Sequence, residues 1–191
     1  MVRTFLNLSN WTVRAITRNT SSPAAEQLSQ LGATVVRANL DDPASLEAAF
    51  TGATAIFAVT DFWQFPQDPA VHQAAAAKGI TWNEECYRRE LQHGTNIIDA
   101  AAKIVGQSSS FQRLVISSLN DVKRASKGKY TWAYHFDAKA HYVQYLARKA
   151  EEAPESAYKP LFEKTSYVQI GYYLDNWSKN PVLHPAKVSE I

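Results

Sequence analysis

The sequence predicts an α/β fold in which helices cover both faces of a parallel sheet. Strand-like stretches at residues 11–17, 33–40 and 53–59 alternate with two short helix-like stretches. Such alternation over brief loops is typical of right-handed crossover units, which place their strands side by side in one parallel sheet. A length of 191 residues favours a single domain, 1–191, and we expect residues 178–191 to form an irregular tail.

Short local signals mark the early elements in turn. Apolar and polar residues alternate through the first strand-like stretch, and the next two stretches are bounded by turn residues. The pairs Ser22-Pro23 and Asp42-Pro43 each join a capping side chain to a first-turn proline, so a helix is expected to begin at each pair. A glycine then ends each helix before the next strand.

The second half of the chain contains longer elements. The aromatic residues and prolines of 60–78 directly follow a strand, so we expect an irregular loop at the functional edge of the sheet. Thr81 and Glu84 form a capping box, after which apolar residues follow one helical face to Val105. The remaining predictions are a strand at 111–116, a helix at 136–152, a connection at 151–159 and a strand at 165–170.

Composition argues against several classes of function. The 20 lysines and arginines nearly balance 18 aspartates and glutamates, so we expect no direct binding to nucleic acid. No apolar run approaches the roughly 18 residues of a membrane span, so we expect no membrane insertion and a cytoplasmic or nuclear protein. The single cysteine, Cys86, excludes an intrachain disulfide. The histidines lack the spacing of metal ligands, so no metal is expected.

Four segments, in this order and at this spacing, carry a family resemblance: VRAITRN at 13–19, NLDDPASL at 39–46, AIFAVT at 55–60 and YHFDAK at 134–139. The chain resembles the NmrA-like family over roughly 11–177. The resemblance implies a Rossmann-like parallel sheet related to atypical short-chain dehydrogenases. Some members of that family are NADP-sensing regulators without demonstrated turnover, and others are reductases related to isoflavone reductases.

The chain departs from the family pattern at both of its ends. Family members begin with a strand and a glycine-rich turn leading into a helix, whereas Met1 to Leu8 resembles only the end of that helix. None of the seven glycines forms a G-x-G-x-x-G sequence, which would let the backbone approach a pyrophosphate. We therefore expect a fold lacking the first strand and the glycine-rich loop. The exposed sheet centre that results invites a homodimer or a protein partner.

A cationic residue after the first predicted strand favours NADP over NAD. An acidic residue at that place binds the ribose 2′-hydroxyl of NAD, whereas Arg18 suits the 2′-phosphate of NADP. Asn19 is a second candidate for the same phosphate. The alternative is that both are ordinary residues of an exposed turn.

His135 and Lys139 lie four residues apart and therefore share a helical face. The resemblance implies that Lys139 contacts the nicotinamide ribose and takes part in catalysis, but His135 occupies the position of the acidic tyrosine. A histidine can donate a proton near neutral pH. The alternative is that His135 caps the helix and Lys139 extends to the surface.

Other candidates follow the carboxyl ends of strands, where open α/β sheets bind ligands. Ser118 is a candidate catalytic or substrate-binding hydroxyl, and the resemblance implies that Thr60 and Phe62 flank the cofactor. The resemblance implies cofactor contacts from Gly171, Tyr172 and Tyr173 and a substrate contact from Asn176, and Trp63 in the aromatic loop after the third strand is a further substrate candidate. Packing in the core is the alternative for the tyrosines.

Three functions remain open at this point. The first is an NADP-binding, redox-sensing regulator whose partner is a protein such as a transcription factor, and His135 in place of tyrosine favours it. The second is an NADP-dependent oxidoreductase acting on a small metabolite, which Lys139 and the strand-end serines favour. The third is an inactive, truncated relative with neither activity.

Overall fold

The computed structural model describes residues 1–107 and 109–171. The strands in this part are β1 (Arg14–Thr17), β2 (Thr34–Arg37), β3 (Ala55–Ala58), β4 (Arg113–Ser118) and β5 (Thr165–Gln169). The helices are α1 (Val2–Leu6), α2 (Pro23–Gln30), α3 (Pro43–Phe50), α4 (Pro69–Lys78), α5 (Trp82–Gln107), α6 (Val122–Ala125), α7 (Tyr134–Glu152) and α8 (Tyr158–Glu163).

The strands pair in parallel, but in two sheets rather than one. β1 pairs with β2, while β4 lies between β3 and β5 in a second sheet. Within the described residues, no ladder joins β1 to β3. The predicted α/β fold with parallel strands among helices is confirmed, and without a strand between β1 and β3 the parallel strands fall into two sheets. The predicted opening at the sheet centre lies between β1 and β3.

Helix starts follow the capping signals in the sequence. The Ser22 side chain accepts a hydrogen bond from the Ala25 N–H at the start of α2. Asp42 accepts from the Ala44 and Ser45 N–H groups at the start of α3. These side chains satisfy backbone donors that the first turn of a helix leaves without partners. Both predicted helix starts are confirmed.

Several predicted boundaries are wrong. The irregular loop expected at 60–78 contains a short 3-10 helix, Phe62–Gln64, and the whole of α4. Asp68 caps α4 and Gly79 ends it with φ +64°, so this helix carries the same signals as α2 and α3. The connection expected at 151–159 includes the start of α8.

Two further boundaries are shifted. Helix α7 begins at Tyr134, two residues earlier than predicted, because Ala133 and not His135 occupies the N-cap position. Strand β4 covers 113–118 and not 111–116. Phe111, which was expected to begin this strand, is a buried core residue instead. The two serines at 117 and 118 are therefore the last residues of the strand itself.

Gly94 lets α5 and α7 pack in very close contact. A Cβ atom at this position would lie 2.0 Å from the ring of Tyr142 on α7. Tyr142 is only 2% exposed, so its ring has no free space into which to move. The two long helices thereby form one packed layer against β4, and the residues they carry are brought close together.

Helix α5 also connects the two sheets. The side-chain amide of Asn96 donates to the Leu40 carbonyl after β2 at 2.7 Å, and Lys103 forms an ion pair with Glu47 on α3. Ile97 and Ile98 on the same helix lie in the main hydrophobic core. No helix in the described part of the chain is both long and apolar enough to cross a membrane.

Candidate functional site

A closed polar cluster lies at the carboxyl end of β3. Lys139 reaches back from α7, and its Nζ donates to the Thr60 carbonyl at 2.6 Å and to the Thr60 Oγ1 at 2.8 Å. The same Nζ is 2.8 Å from Oε1 of Glu90 on α5. Two N–H groups of the ammonium therefore have acceptors on Thr60, and the Glu90 carboxylate balances its charge. Lys139 does not extend to the surface, since its side chain is only 11% exposed.

Glu90 is the site residue that sequence reasoning missed. Its side chain is completely buried, and its Oε1 accepts from the Thr60 hydroxyl at 2.7 Å and forms the ion pair with Lys139. Its Oε2 has no hydrogen-bond partner among the described residues. The signal was present, because Glu90 lies one helical turn before Gly94 on the face that packs against α7. A lysine on an apolar stripe requires such a carboxylate.

Tyr142 is the fourth residue of this cluster. Its hydroxyl lies 3.4 Å from the Thr60 Oγ1 and donates to the Ser117 carbonyl at 3.2 Å. Burial raises the pKa of Tyr142, and the nearby Glu90 carboxylate raises it further, although the hydrogen bond to Thr60 opposes both effects. The tyrosine is therefore a neutral packing group and not a proton donor to solvent.

An aromatic cluster surrounds His135. Its ring centroid lies 5.1 Å from that of Trp63, 5.8 Å from that of Phe62 and 4.7 Å from that of Phe136. Burial lowers the pKa of His135, and the charge of Lys139 lowers it further, against the opposing effect of Asp137. The neutral imidazole is thus the favoured form. His135 does not cap α7.

The two predicted aromatic candidates differ in their exposure. Phe62 is 3% exposed and packs with Phe65, Val71 and Cys86 in a second core cluster. Trp63 is 65% exposed and offers a free indole face beside His135. Trp63 can therefore contact a ligand as it stands, whereas Phe62 has little surface to offer.

Ser118 lines a separate cavity of about 500 Å³ with a mixed polar and apolar lining at the ends of β4 and β5. The residue is 3% exposed, and its hydroxyl lies 3.4 Å from the carbonyls of Leu119 and Lys139. Asp121 and Gln144 form another part of the lining and are hydrogen-bonded to each other at 2.9 Å. Ser118 lies beside the backbone of Lys139, but its hydroxyl does not reach the lysine Nζ cluster.

Arg18 and Asn19 follow β1, across the opening from the polar cluster. Arg18 lines a cavity of about 410 Å³ between the two sheets, which we call the inter-sheet cleft. Its walls include residues 14, 16–18 and 38–40 on one side and 56–59 on the other. Arg18 forms no ion pair with any described residue. The Asn19 side chain accepts from the Ser21 N–H at 3.0 Å and shapes the turn before α2.

The carboxyl edge of the inter-sheet cleft suits part of a dinucleotide. Arg18 supplies a cation, while Asn39 and Gln64 add hydrogen-bonding groups to the same lining. None of the lining residues is a glycine, so no close backbone approach to a pyrophosphate is available there. The residues fit a ribose phosphate and not the pyrophosphate cradle of a complete dinucleotide site.

The remaining predicted contacts lie at or beyond the end of the described residues. Gly171 directly follows the carboxyl end of β5 and is exposed. Tyr172, Tyr173 and Asn176, as well as the tail predicted at 178–191, lie outside the described residues. Within residues 1–107 and 109–171, no group of three or more histidines, cysteines or acidic residues could bind a metal ion.

Comparisons with known proteins agree with this architecture. A family model described as the NmrA-like family matches residues 1–186. The chain is 30% identical over 175 residues to the NmrA-like family domain-containing oxidoreductase cpsB of Aspergillus campestris (strain IBT 28561). That alignment covers 92% of this chain and 43% of the relative, so the chain spans less than half of the relative's length.

Two solved structures share the fold at low sequence identity. The negative transcriptional regulator NmrA superposes with a TM-score of 0.55 at 20% identity, covering 92% of this chain and 42% of that protein. The Citrobacter sp. triphenylmethane reductase complexed with NADP(H) gives a TM-score of 0.50 at 15% identity, covering 86% of this chain and 41% of the reductase. One neighbour is a regulator and the other an enzyme.

Proposed function

The chain belongs to the NmrA-like family, and from this membership we propose that it is an NADP-binding, redox-sensing regulatory protein rather than a catalyst. The observation that carries the proposal is the closed cluster at Lys139. Its ammonium already donates to the Thr60 carbonyl and hydroxyl and forms an ion pair with the buried Glu90 carboxylate. A lysine whose charge and two of whose N–H groups are engaged inside the protein is poorly placed to hold a nicotinamide ribose or to activate a proton donor.

The position of the expected proton donor supports the same proposal. His135 replaces the tyrosine that short-chain dehydrogenases use, and burial favours its neutral form. Binding without turnover is then the output of the site. The cofactor is NADP rather than NAD because Arg18 lines the cleft as an unpaired cation, where an acidic residue would select the ribose 2′-hydroxyl. The resemblance to an NADP(H)-binding reductase and to the regulator NmrA is consistent with this reading.

Calorimetric titration of the chain with NADP⁺, NADPH and NAD⁺ tests the proposal. We expect NADP⁺ to bind and Arg18→Glu to weaken it by about 10- to 100-fold, because a charged hydrogen bond contributes about 1.5–3 kcal/mol. Arg148→Glu is the matched control, since Arg148 is exposed on α7 outside the cleft. Absence of NADP⁺ binding, or equal affinity in Arg18→Glu, would contradict the proposal.

A reductase is the second candidate, because the 30% identical relative is described as an oxidoreductase. Its substrate is then a small carbonyl-bearing or aromatic metabolite that stacks on the exposed indole of Trp63 beside His135. Steady oxidation of NADPH with a panel of carbonyl substrates, lost in His135→Phe and in Lys139→Ala, would favour this candidate. Cofactor binding without oxidation across the panel favours the regulator.

A further inference from the structure

A short exposed segment between β4 and α7 carries a local excess of positive charge. The whole chain is nearly balanced, with 20 lysines and arginines against 18 aspartates and glutamates. Residues 122–136, by contrast, contain no acidic residue and four cations, which are Lys123, Arg124, Lys127 and Lys129. All four cations are exposed, and none forms an ion pair with any residue in the described part of the chain. The segment therefore presents four charges that no described side chain neutralises.

Hydrogen bonds hold the backbone of these cations in one folded turn. The Gly128 N–H donates to the Lys123 carbonyl at 2.8 Å. The Lys129 N–H donates to the Ser126 carbonyl at 3.1 Å. The buried Asp137 carboxylate fixes the start of the turn, since it accepts from the Lys123 N–H at 3.2 Å. The backbone that carries the charges is thus ordered before a ligand arrives, which lowers the entropic cost of binding.

Two exposed rings follow the cations in the same segment, and we call residues 123–132 the basic–aromatic loop. Tyr130 is 56% exposed and Trp132 is 66% exposed. The Lys129 ammonium lies 5.2 Å from the centroid of the Tyr130 ring. The Trp132 ring packs edge-on against Tyr134, with centroids 5.9 Å apart. Exposed tyrosine and tryptophan rings suit a binding surface, because they supply contact area at a low cost in conformational entropy.

The size of this charged surface favours a peptide over nucleic acid. Nucleic-acid binding without sequence preference uses a basic groove or stripe that follows many phosphates. Four cations on one turn match only a short anionic segment. The net charge of the chain, +2, adds no wider positive field that would attract a polyanion. A short peptide with several carboxylates matches the extent of the loop.

We propose that the basic–aromatic loop binds an acidic peptide segment of a partner protein, with apolar side chains between the carboxylates. The carboxylates complement the four cations, and the apolar side chains pack on Tyr130 and Trp132. The inference rests on the proposed regulatory function, whose output is binding, and it adds the surface and the chemistry of the partner.

Fluorescence anisotropy with the labelled peptide EEFDELFDE tests the proposal. The neutral counterpart QQFNQLFNQ keeps the apolar residues without the carboxylates, and EESDESSDE keeps the carboxylates without the apolar residues. We expect saturable binding of the first peptide and weaker binding of both counterparts. Added salt should weaken the binding, because salt screens exposed charges.

Three results would overturn the proposal. They are absence of saturable binding of EEFDELFDE, equal binding of the neutral counterpart, and tighter binding of labelled oligothymidine or of phosphatidylserine vesicles than of the peptide. The peptide is titrated without nucleotide and NADP⁺ is titrated without peptide, so failure of this proposal is distinguishable from failure of the proposed cofactor binding.

Charge reversal in the loop shows whether the peptide binds there. We expect Lys127→Glu combined with Lys129→Glu to weaken binding about tenfold or more, because two attractive charges become repulsive. Arg148→Glu combined with Lys159→Glu is the matched control, since both cations are exposed outside the loop and the net charge changes by the same amount. Equal weakening in the two double variants would indicate a general charge effect and overturn the proposal.

Truncation of the exposed indole tests the aromatic half of the loop. We expect Trp132→Ala to weaken peptide binding about fivefold or more, because exposed tryptophans that become buried at an interface contribute strongly to affinity. Trp82→Ala is the matched control, since Trp82 is 39% exposed on α5 outside the loop. Melting temperatures verify that both variants fold. Equal affinity in Trp132→Ala and Trp82→Ala would contradict a contact with the indole and sink the proposal.

Discussion

The polar cluster around Lys139 and the inter-sheet cleft both lie beside the carboxyl end of β3, yet one is closed and the other is open. In the cluster, Glu90 is completely buried and Thr60 is 4% exposed. At the cleft, Phe57 and Val59 from the same strand region are 42% and 57% exposed. The cluster consists of buried side chains that contact one another and leave only the Oε2 of Glu90 without a partner among the described residues, whereas the cleft is bordered by strand edges that no described segment pairs with.

This contrast distinguishes the part of the fold whose packing is closed from the part that lacks a pairing partner. Two long helices locked together at Gly94 position the charged cluster, so its geometry does not depend on a continuous sheet. The cleft depends on pairing across the sheet centre, which the described residues do not supply. We therefore expect substitutions in the cluster to cost stability and substitutions at the cleft to be almost neutral.

The largest effect is expected from Glu90→Gln. It leaves the Lys139 ammonium buried without a carboxylate, which costs about 3–5 kcal/mol of unfolding free energy. Glu84→Gln on the same helix is the control, because its ion pair with Arg88 is exposed and is worth at most about 1 kcal/mol. Urea denaturation measures both. Adding Lys139→Met to Glu90→Gln should recover much of the loss, and a double variant no more stable than the single one would argue against the pair.

Gly94→Ala is expected to have the next largest effect. The new Cβ would lie 2.0 Å from the Tyr142 ring, and overpacking of this kind costs about 1–3 kcal/mol. The loss should occur although alanine favours a helix by about 1 kcal/mol over glycine. Gly106→Ala on the same helix meets its nearest neighbour at 3.4 Å. A thermal melt in which both variants gain stability would show that the α5–α7 contact is looser than described.

Acidification should weaken the fold through His135. Burial and the charge of Lys139 lower the pKa of this imidazole below its ordinary value of 6.5. As the pH falls below 6.5, His135 becomes protonated in the unfolded chain but stays neutral in the folded chain. The free energy of unfolding therefore decreases. His135→Phe should reduce this loss when melting temperatures are compared between about pH 7.5 and about pH 5. An identical pH dependence in the variant would exclude the histidine as its source.

The smallest effect is expected at the cleft wall. Val59→Ala should change the free energy of unfolding by less than about 0.5 kcal/mol, because the side chain is already exposed and lies away from caps and ion pairs. Ile116→Ala on β4 is the contrasting control, since Ile116 is 1% exposed and its truncation should cost about 2–5 kcal/mol. A cost at Val59 as large as at Ile116 would mean that the cleft is closed in solution.

Local signals in the sequence predicted the elements better than their arrangement. The Ser22 and Asp42 caps fix helix starts because each involves atoms only a few residues apart. The same signal at Asp68 was masked by the aromatic residues and prolines before it, so α4 was missed. Glu90 was not predicted as a site residue because its partners, Thr60 and Lys139, lie 30 and 49 positions away along the chain. Only the packing of α5 against α7 reveals that they meet.

Helix α5 has a mechanical consequence for the whole molecule. A continuous sheet resists separation of its halves through a row of backbone hydrogen bonds that must break together. Here the two sheets are connected by side chains of helix α5. Asn96 contacts Leu40 after β2, and Glu90 contacts Thr60 after β3. A pulling force would load these side-chain contacts one after another, together with the hydrophobic core that both sheets share, so we expect the two sheets to separate less cooperatively than the halves of one continuous sheet.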